Sequence, residues 1–440
     1  ATRRSRPCRP LTGDRLLEYG LDVDDAEGPE ITDAEVADLP RYRMALDDPD
    51  PSEFHSEIRQ TADGSWITRW LTGYLVVSHD DVVALLRDRH LEQAAGKVPA
   101  LIRGEVDPIS TLPTDDLLIA EGEKHTRLRR LVGPAFSTKS IDTLRPGMRA
   151  YLDRALAEAG TGAGVPVRLD IVELMAAYPV ATICQLLGVG EEMWDDFSRW
   201  AESHFMVLKS SEEGDLDRDQ RIEADARELE EFCVELIESR RAELSDDLLS
   251  RLIIENQDGD RLSTDELVSL IRSMIAAGID TTRNQIGSLM ALILEEPSMW
   301  RRLRDDRSLV PAAVEESLRL LNPIRVAMRT VREPFTHRGV RFQPGTLIAL
   351  HLAAAGRDGE VFQEPDLLDP HRANARSHVA FSNGVHHCLG AALARAELQE
   401  MLAAMLDAWT DVESAGPVVW KHARLPVWGA DSVPVLVAPA

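Results

Sequence analysis

The stretch from Ser263 to Pro297 constrains this chain most, because its pattern is that of one long helix set in a core. Ser263 followed by Glu266 spells a capping box, and Leu267, Leu270, Ile271, Met274, Ile275 and Gly278 recur at the spacing of a single helix face. Pro297 ends the pattern, since the residue before a proline is pushed out of the helical region, so the helix is expected to run to about Glu296. Inside it, Ala277-Gly278-Ile279-Asp280-Thr281-Thr282 places a glycine, an acid and hydroxyls among apolar neighbours. A mid-helix glycine costs about 1 kcal/mol relative to alanine, and threonine hydroxyls can bond back to preceding carbonyls and distort the ladder. Two explanations stand: a packing glycine with outward-facing Asp280 and Thr281, or a functional site built into the helix.

Helical periodicity runs from His125 to about Glu296, with an acidic interruption at 212–219. Strand-like text is confined to Ile67 and Tyr74 to Val77, to 324–331 and 340–350, and to a tail near 434–437, with an amphipathic helix expected from Asp80 to about Arg89. Residues 91–118 carry Gly96, Pro99, Gly104, Pro108 and Pro113 without a sustained period, which reads as a long surface loop of the kind that serves as a lid. Residues 1–45 are acidic and turn-rich, a partly ordered lead-in. No linker-like stretch divides the remainder, so 46–440 is read as one large, mainly α domain with small β-sheets, although single cores usually split beyond ~250–300 residues.

The segment Phe381-Ser-Asn-Gly384-Val-His386-His387-Cys388-Leu-Gly390 sets a lone cysteine in a short glycine-bearing loop just before a strongly helical stretch. A cysteine at a helix N-terminus meets unpaired amides and the positive end of the helix dipole, both of which favour the thiolate, the form that binds iron. Gly384 lets the backbone turn, and Gly390 removes a side chain where the next helix would lie against a flat macrocycle. A zinc site built from His386, His387 and Cys388 is a rival, but adjacent residues converge poorly on one tetrahedral ion. A buried structural cysteine is another, and it leaves two glycines at set offsets unexplained.

The pattern Phe-x-x-Gly-x-His-x-Cys-x-Gly, continued by Ala391-Ala-Leu393-Ala-Arg395-Ala-Glu397, resembles the cysteine-ligand loop of the cytochrome P-450 superfamily, and five blocks in the family's order extend the resemblance over about residues 50 to 440. It implies a single triangular haem domain in which Cys388 holds haem b, Phe381, Gly384 and Gly390 shape the loop, and dioxygen is the co-substrate. It also places Ala277 and Gly278 along the haem, gives Thr281 a part in oxygen activation and makes Asp280 a proton relay. Glu316 and Arg319 lie three apart on one helix face; with Arg372 they match the family's Glu-x-x-Arg element and its third member, a scaffold lock beneath the haem. His125, Arg129, Arg329 and His378 match the usual partners of the haem propionates, while Arg127 and Arg130 are expected to face outward. Before His125 the chain reads Glu121-Gly-Glu-Lys124, where the family usually has an Asp-Pro-Pro-type run.

Composition narrows the partners. Acidic residues outnumber basic ones 75 to 49 for a net charge of −26, which argues against nucleic acid. No apolar run approaches the ~18–20 residues of a membrane span, and Ala1 to Pro10 is Arg-rich without an apolar segment behind it, so Arg3 and Arg4 read as a basic tail. Four cysteines without framework spacing suggest reduced thiols in a cytoplasm. The resemblance puts Lys124, Arg127, Arg130, Arg372, Arg376, His387 and Arg395 on the cysteine side of a monomer. A basic patch there would dock a small acidic ferredoxin, itself served by a ferredoxin reductase, because the chain has no Gly-x-Gly-x-x-Gly fingerprint of its own. By the same resemblance, 91–118, 205–219, the first half of the central helix, 323–328 and 425–428 line the substrate pocket. Within it, Arg325 and Val326 are candidate contacts, and an inward Arg325 would want a carboxylate or phosphate; it could equally face away or pair with an acid. The expected activity is hydroxylation or another oxidation of a small organic molecule in bacterial secondary metabolism or catabolism. The alternatives are oxidative coupling on the same haem without oxygen insertion, and a gas-binding haem protein, which would have no need of Asp280 and Thr281.

Overall fold

The computed structural model describes residues 65–70, 73–94, 117–160, 165–206, 216–254, 260–421 and 427–440. The expected lead-in at 1–45 and most of the expected lid fall outside them.

Short β-branched and aromatic runs build a five-stranded sheet. Strands β1 (Ile67–Trp70) and β2 (Gly73–Val76) form a hairpin with Ile67 opposite Val76. Helix α1 (His79–Leu86) follows, then β3 (Leu91–Gln93); the remaining strands, β4 (Val326–Val331) and β5 (Leu347–His351), come from late in the chain, giving the order β1-β2-β5-β4-β3. Only glycine fits at position 73, since a Cβ there would lie 1.9 Å from the Leu347 carbonyl oxygen. Leu91–Gln93, read from sequence as the start of a loop, is an edge strand because β4 supplies its antiparallel partner, which no local pattern reveals. Helix α1 ends at Leu86, short of the expected Arg89, and buries Val82, Leu85 and Leu86 in one cluster with Tyr74, Val76, Ile348 and Leu350.

The helical part surrounds the central helix. Helix α2 (Gly122–Val132) buries His125, Leu128, Leu131 and Val132, spaced as one face, and α3 (Tyr178–Leu187) is apolar almost throughout. Helix α4 (Thr264–Glu295) is the long helix foreseen, its Ser263–Glu266 capping box formed in both directions. At 1.5 Å per residue it spans roughly 48 Å. Helices α5 (Val310–Leu320) and α6 (Ala391–Ala408) complete the frame, and α4 packs on α3, α5 and α6. A second sheet sets Pro434–Pro439 between Val167–Asp170 and Trp409–Ser414. Its four-residue strand Val167–Asp170 lies inside the stretch read as helical, too short for its alternation to register, and Asp170 caps the helix that follows by accepting from the Val172 and Glu173 amides. Among the described residues no helix is long and apolar enough to cross a membrane.

Candidate functional site

The cysteine loop is held from both sides. The Cys388 amide donates to the Phe381 carbonyl (2.8 Å), and α6 begins three residues after Cys388 with Gly390 as its N-cap. Gly384 has φ +70°, and a Cβ there would sit 2.8 Å from the Leu86 carbonyl oxygen, so the turn needs glycine both for its backbone and for its contact with α1. At the same contact Asn383 Oδ1 accepts from the Gly384 amide (2.7 Å) and from Arg87 Nε (3.0 Å). Cys388 is exposed, and burial among the surrounding groups raises its thiol pKa, opposed by the Gly390 amide and by the charges of Arg129 and Arg395.

Beside this loop a basic cluster forms in the interior. His125 of α2 is buried with its ring centroid 4.3 Å from that of His386, whose Nε2 lies 3.1 Å from Glu121 Oε1. Arg329 of β4 is 3% exposed and donates to Gln93 Oε1 (2.5 Å) and to the Met328 carbonyl (3.0 Å). Burial pulls its pKa down to about 10, and Glu121 is the acid that resists this. Burial, with the charges of His386 and Arg129, lowers His125 to about 4. Arg129 is anchored by a 2.7 Å bond to the His387 carbonyl. Burial opposes ionisation of Glu121, but bonds from His386 and the Gln93 amide hold its carboxylate below the usual range. Arg129 and Arg329 thus outnumber the partly exposed carboxylate of Glu121, and the two propionates of a haem would balance them.

His386 was not among the expected propionate partners, and His378, which was, is placed elsewhere. The His378 Nε2 lies 3.0 Å from Glu315 Oε2 and its Nδ1 accepts from the Ala380 amide (3.1 Å), so both ring nitrogens are engaged. The sequence held the signal for His386: it is the histidine two residues before Cys388 in the motif itself, aimed at α2 by the tight turn Gly384–His386. That geometry also separates His386 and His387 from a common ion with Cys388, and among the described residues no cluster of three or more ligating side chains could hold a metal by itself.

On the central helix, Ala277, Gly278, Asp280 and Thr281 are partly exposed although Ile275, Ala276, Ile279 and Thr282 around them are buried. The Thr281 hydroxyl donates to the Ala277 carbonyl (2.6 Å), and Asp280 pairs with Arg283 (3.3 Å), which also donates to the Ala176 carbonyl. A Cβ on Gly278 would come within 2.7 Å of Ile183 Cδ1, so this glycine lets α3 pack closely against the helix.

The scaffold lock is assembled as expected. Arg319 forms a bidentate pair with Glu316 (2.6 and 2.8 Å), both side chains being fully buried, and Arg372 adds a third bond to Glu316 (2.9 Å). Arg319 also donates to the carbonyls of Gly356, Pro365 and Leu367, tying α5 to the segment that leads into the cysteine loop. Next to it, Glu315 accepts from Arg395 twice (2.7 and 3.0 Å). Burial alone would raise its pKa, but His378 and Arg395 bring it to about 2.

Arg325 is buried with its guanidinium 5.1 Å over the Trp428 ring, and the partly exposed Val326 packs against the apolar cluster of Trp70, Leu75, Val77, Ala349 and Ala354. The basic patch is largely spent within the protein: Arg127 pairs with Asp260 and Glu266, Arg130 with Asp260, and Arg372 and Arg395 with buried glutamates. Arg376 remains 76% exposed.

The cytochrome P-450 family model matches residues 74–411. Cytochrome P-450 107B1 of Saccharopolyspora erythraea is 32% identical over 423 residues, 92% of this chain and 99% of that protein. The 6-deoxyerythronolide B hydroxylase of the same organism is 32% identical over 395 residues, covering 87% and 94%. Among solved structures, cytochrome P-450 CYP109Q5 from Chondromyces apiculatus superposes with a TM-score of 0.78 at 26% identity, over 91% of this chain and 99% of that one.

Proposed function

The chain belongs to the cytochrome P-450 family, and from that premise we propose that it is a monooxygenase of bacterial secondary metabolism in which Cys388 is the iron ligand. The family's cofactor is haem b with thiolate-bound iron, and dioxygen is its co-substrate. When bound, that group uses two electrons from outside the chain to activate dioxygen and deliver one oxygen atom to an organic substrate. One observation carries the assignment to these residues: His386, two positions before Cys388, meets His125 in the basic cluster that also holds Arg129 and Arg329. Those four side chains would bind the propionates, and the lock of Glu316, Arg319 and Arg372 would fix the loop's height beneath the macrocycle.

Thr281 and Asp280 take the proton-handling roles. The Thr281 hydroxyl proton rests on the Ala277 carbonyl and is released by a single side-chain rotation, and Asp280, held by Arg283, is the nearest acid along the helix to resupply it. Thr281→Ala is expected to keep consuming electrons while product formed per electron falls about tenfold or more. Unchanged coupling would remove Thr281 from the mechanism, and a wild-type protein that binds gas but turns over no substrate would favour the carrier reading.

The electron donor we propose is a small acidic iron–sulfur ferredoxin acting on a monomer in the cytoplasm. With most of the nearby arginines paired internally, the attraction rests on few well-exposed charges, Arg376 among them although it lies 3.7 Å from Glu315. The rate of reduction by such a ferredoxin should fall as salt is raised, but shallowly. A salt-independent rate would count against electrostatic docking.

A further inference from the structure

Arg395 lies seven residues after Cys388, about one turn into α6, and is wedged between two groups fixed by the scaffold. Its guanidinium stands 4.5 Å over the Phe381 ring, and the carbonyl of that same Phe381 accepts the Cys388 amide. On its other side are the two bonds to Glu315, which is 2% exposed and adjoins the lock residue Glu316. An arginine held in this way is not free to reach a partner protein, although its side chain is 25% exposed. We propose that Arg395 is a fixed cation that sets the reduction potential of the iron held by Cys388, with Glu315 as its counter-charge and holder. This rests on Cys388 being the iron ligand.

Reduction adds an electron to the iron–thiolate unit, so a cation fixed nearby favours the reduced form and an anion opposes it. The order of charges matters, because an ion pair seen from equal distances would nearly cancel. Arg395 is the inner member: it stands over Phe381 and its Nη1 donates to the Ala391 carbonyl three residues after Cys388, whereas Glu315 bonds to Arg395 and His378 and lies 3.7 Å from Arg376, none of them in the loop itself. Other charged or titratable groups here are Arg129, anchored to the His387 carbonyl, the exposed Arg376, 3.7 Å from Glu315, and His378, bonded to Glu315. None of them lies over the Phe381 ring at a comparable distance: the His378 ring is 6.0 Å away.

The test is a dye-mediated redox titration of the haem-loaded protein and three variants. For Arg395→Gln, the ratio of reduced to oxidised protein at a fixed potential should fall about tenfold, or about 59 mV for a one-electron couple. Glu315→Gln keeps the hydrogen-bonding shape and removes the opposing charge, so its ratio should rise. Arg395→Lys keeps the charge and should stay near wild type; if Arg395→Gln fails to load haem, a raised ratio in Glu315→Gln beside an unmoved Arg395→Lys supports the field effect, and an unmoved or lowered Glu315→Gln overturns it. Opposite shifts support a field effect; shifts in the same direction, or none, overturn it, because a merely structural lesion has no reason to change sign with charge. The carbon monoxide spectrum of each sample separates the two levels. A strongly red-shifted Soret band with unmoved potentials removes only the tuning role, whereas its absence in the wild type removes the cysteine assignment beneath it.

Discussion

Replacing Glu316 with alanine is expected to cost about 3–5 kcal/mol of folding stability, because it strands Arg319 as an uncompensated charge in a site with no access to water. Domains are typically stable by only about 5–15 kcal/mol, so a loss of this size takes away a large share of the total. The damage would not stay local. Arg319 ties α5 to the carbonyls of Gly356, Pro365 and Leu367, and Glu316 receives both Arg372 and the Asp369 amide, so the segment entering the cysteine loop loses its anchor. Chemical denaturation should show a much lower midpoint together with poor haem retention. Glu316→Gln, which keeps the shape and loses the charge, should fall between the two, and a Glu316→Ala midpoint equal to wild type would mean that the lock is incidental.

Cys388→Ser is expected to have the opposite profile: a folded protein with no monooxygenase turnover above background. The hydrogen bond that fixes the loop at this position comes from the backbone amide, which serine keeps. What is lost is the sulfur, and a serine hydroxyl is far too weak an acid to supply an anionic ligand of comparable donor strength. Far-ultraviolet circular dichroism should match wild type while the thiolate signature of the iron disappears. If that signature survives the substitution, another residue is the ligand.

How much of this was legible in the sequence depended on whether a feature is local. The capping box and apolar spacing of the central helix needed no tertiary information, and neither did the cysteine loop, whose residue types and offsets follow from a thiolate at a helix N-terminus. The Glu316 and Arg319 pair lies within one turn and was likewise readable. What failed was pairing across the chain. Leu91–Gln93 becomes a strand only because residues more than 230 positions later lie beside it. His378 matches a propionate partner by resemblance, yet in the structure it bonds to the buried carboxylate of Glu315, while His386 reaches the His125 ring through a turn that no periodicity encodes. The internal pairing of the basic patch is non-local in the same way: positions along the chain do not reveal that Asp260, Glu266, Glu315 and Glu316 are folded against its arginines. Gly278 has a close packing neighbour, Ile183, that its place in the motif does not announce.

The central claim is that Cys388 presents a thiolate to haem iron, and the visible spectrum of the purified protein, reduced with dithionite and exposed to carbon monoxide, tests it most directly. A Soret band shifted far to the red is the predicted result, and it should vanish in Cys388→Ser. An ordinary haem–carbon monoxide band in the native, freshly purified protein, or the absence of any haem after reconstitution, would contradict the account.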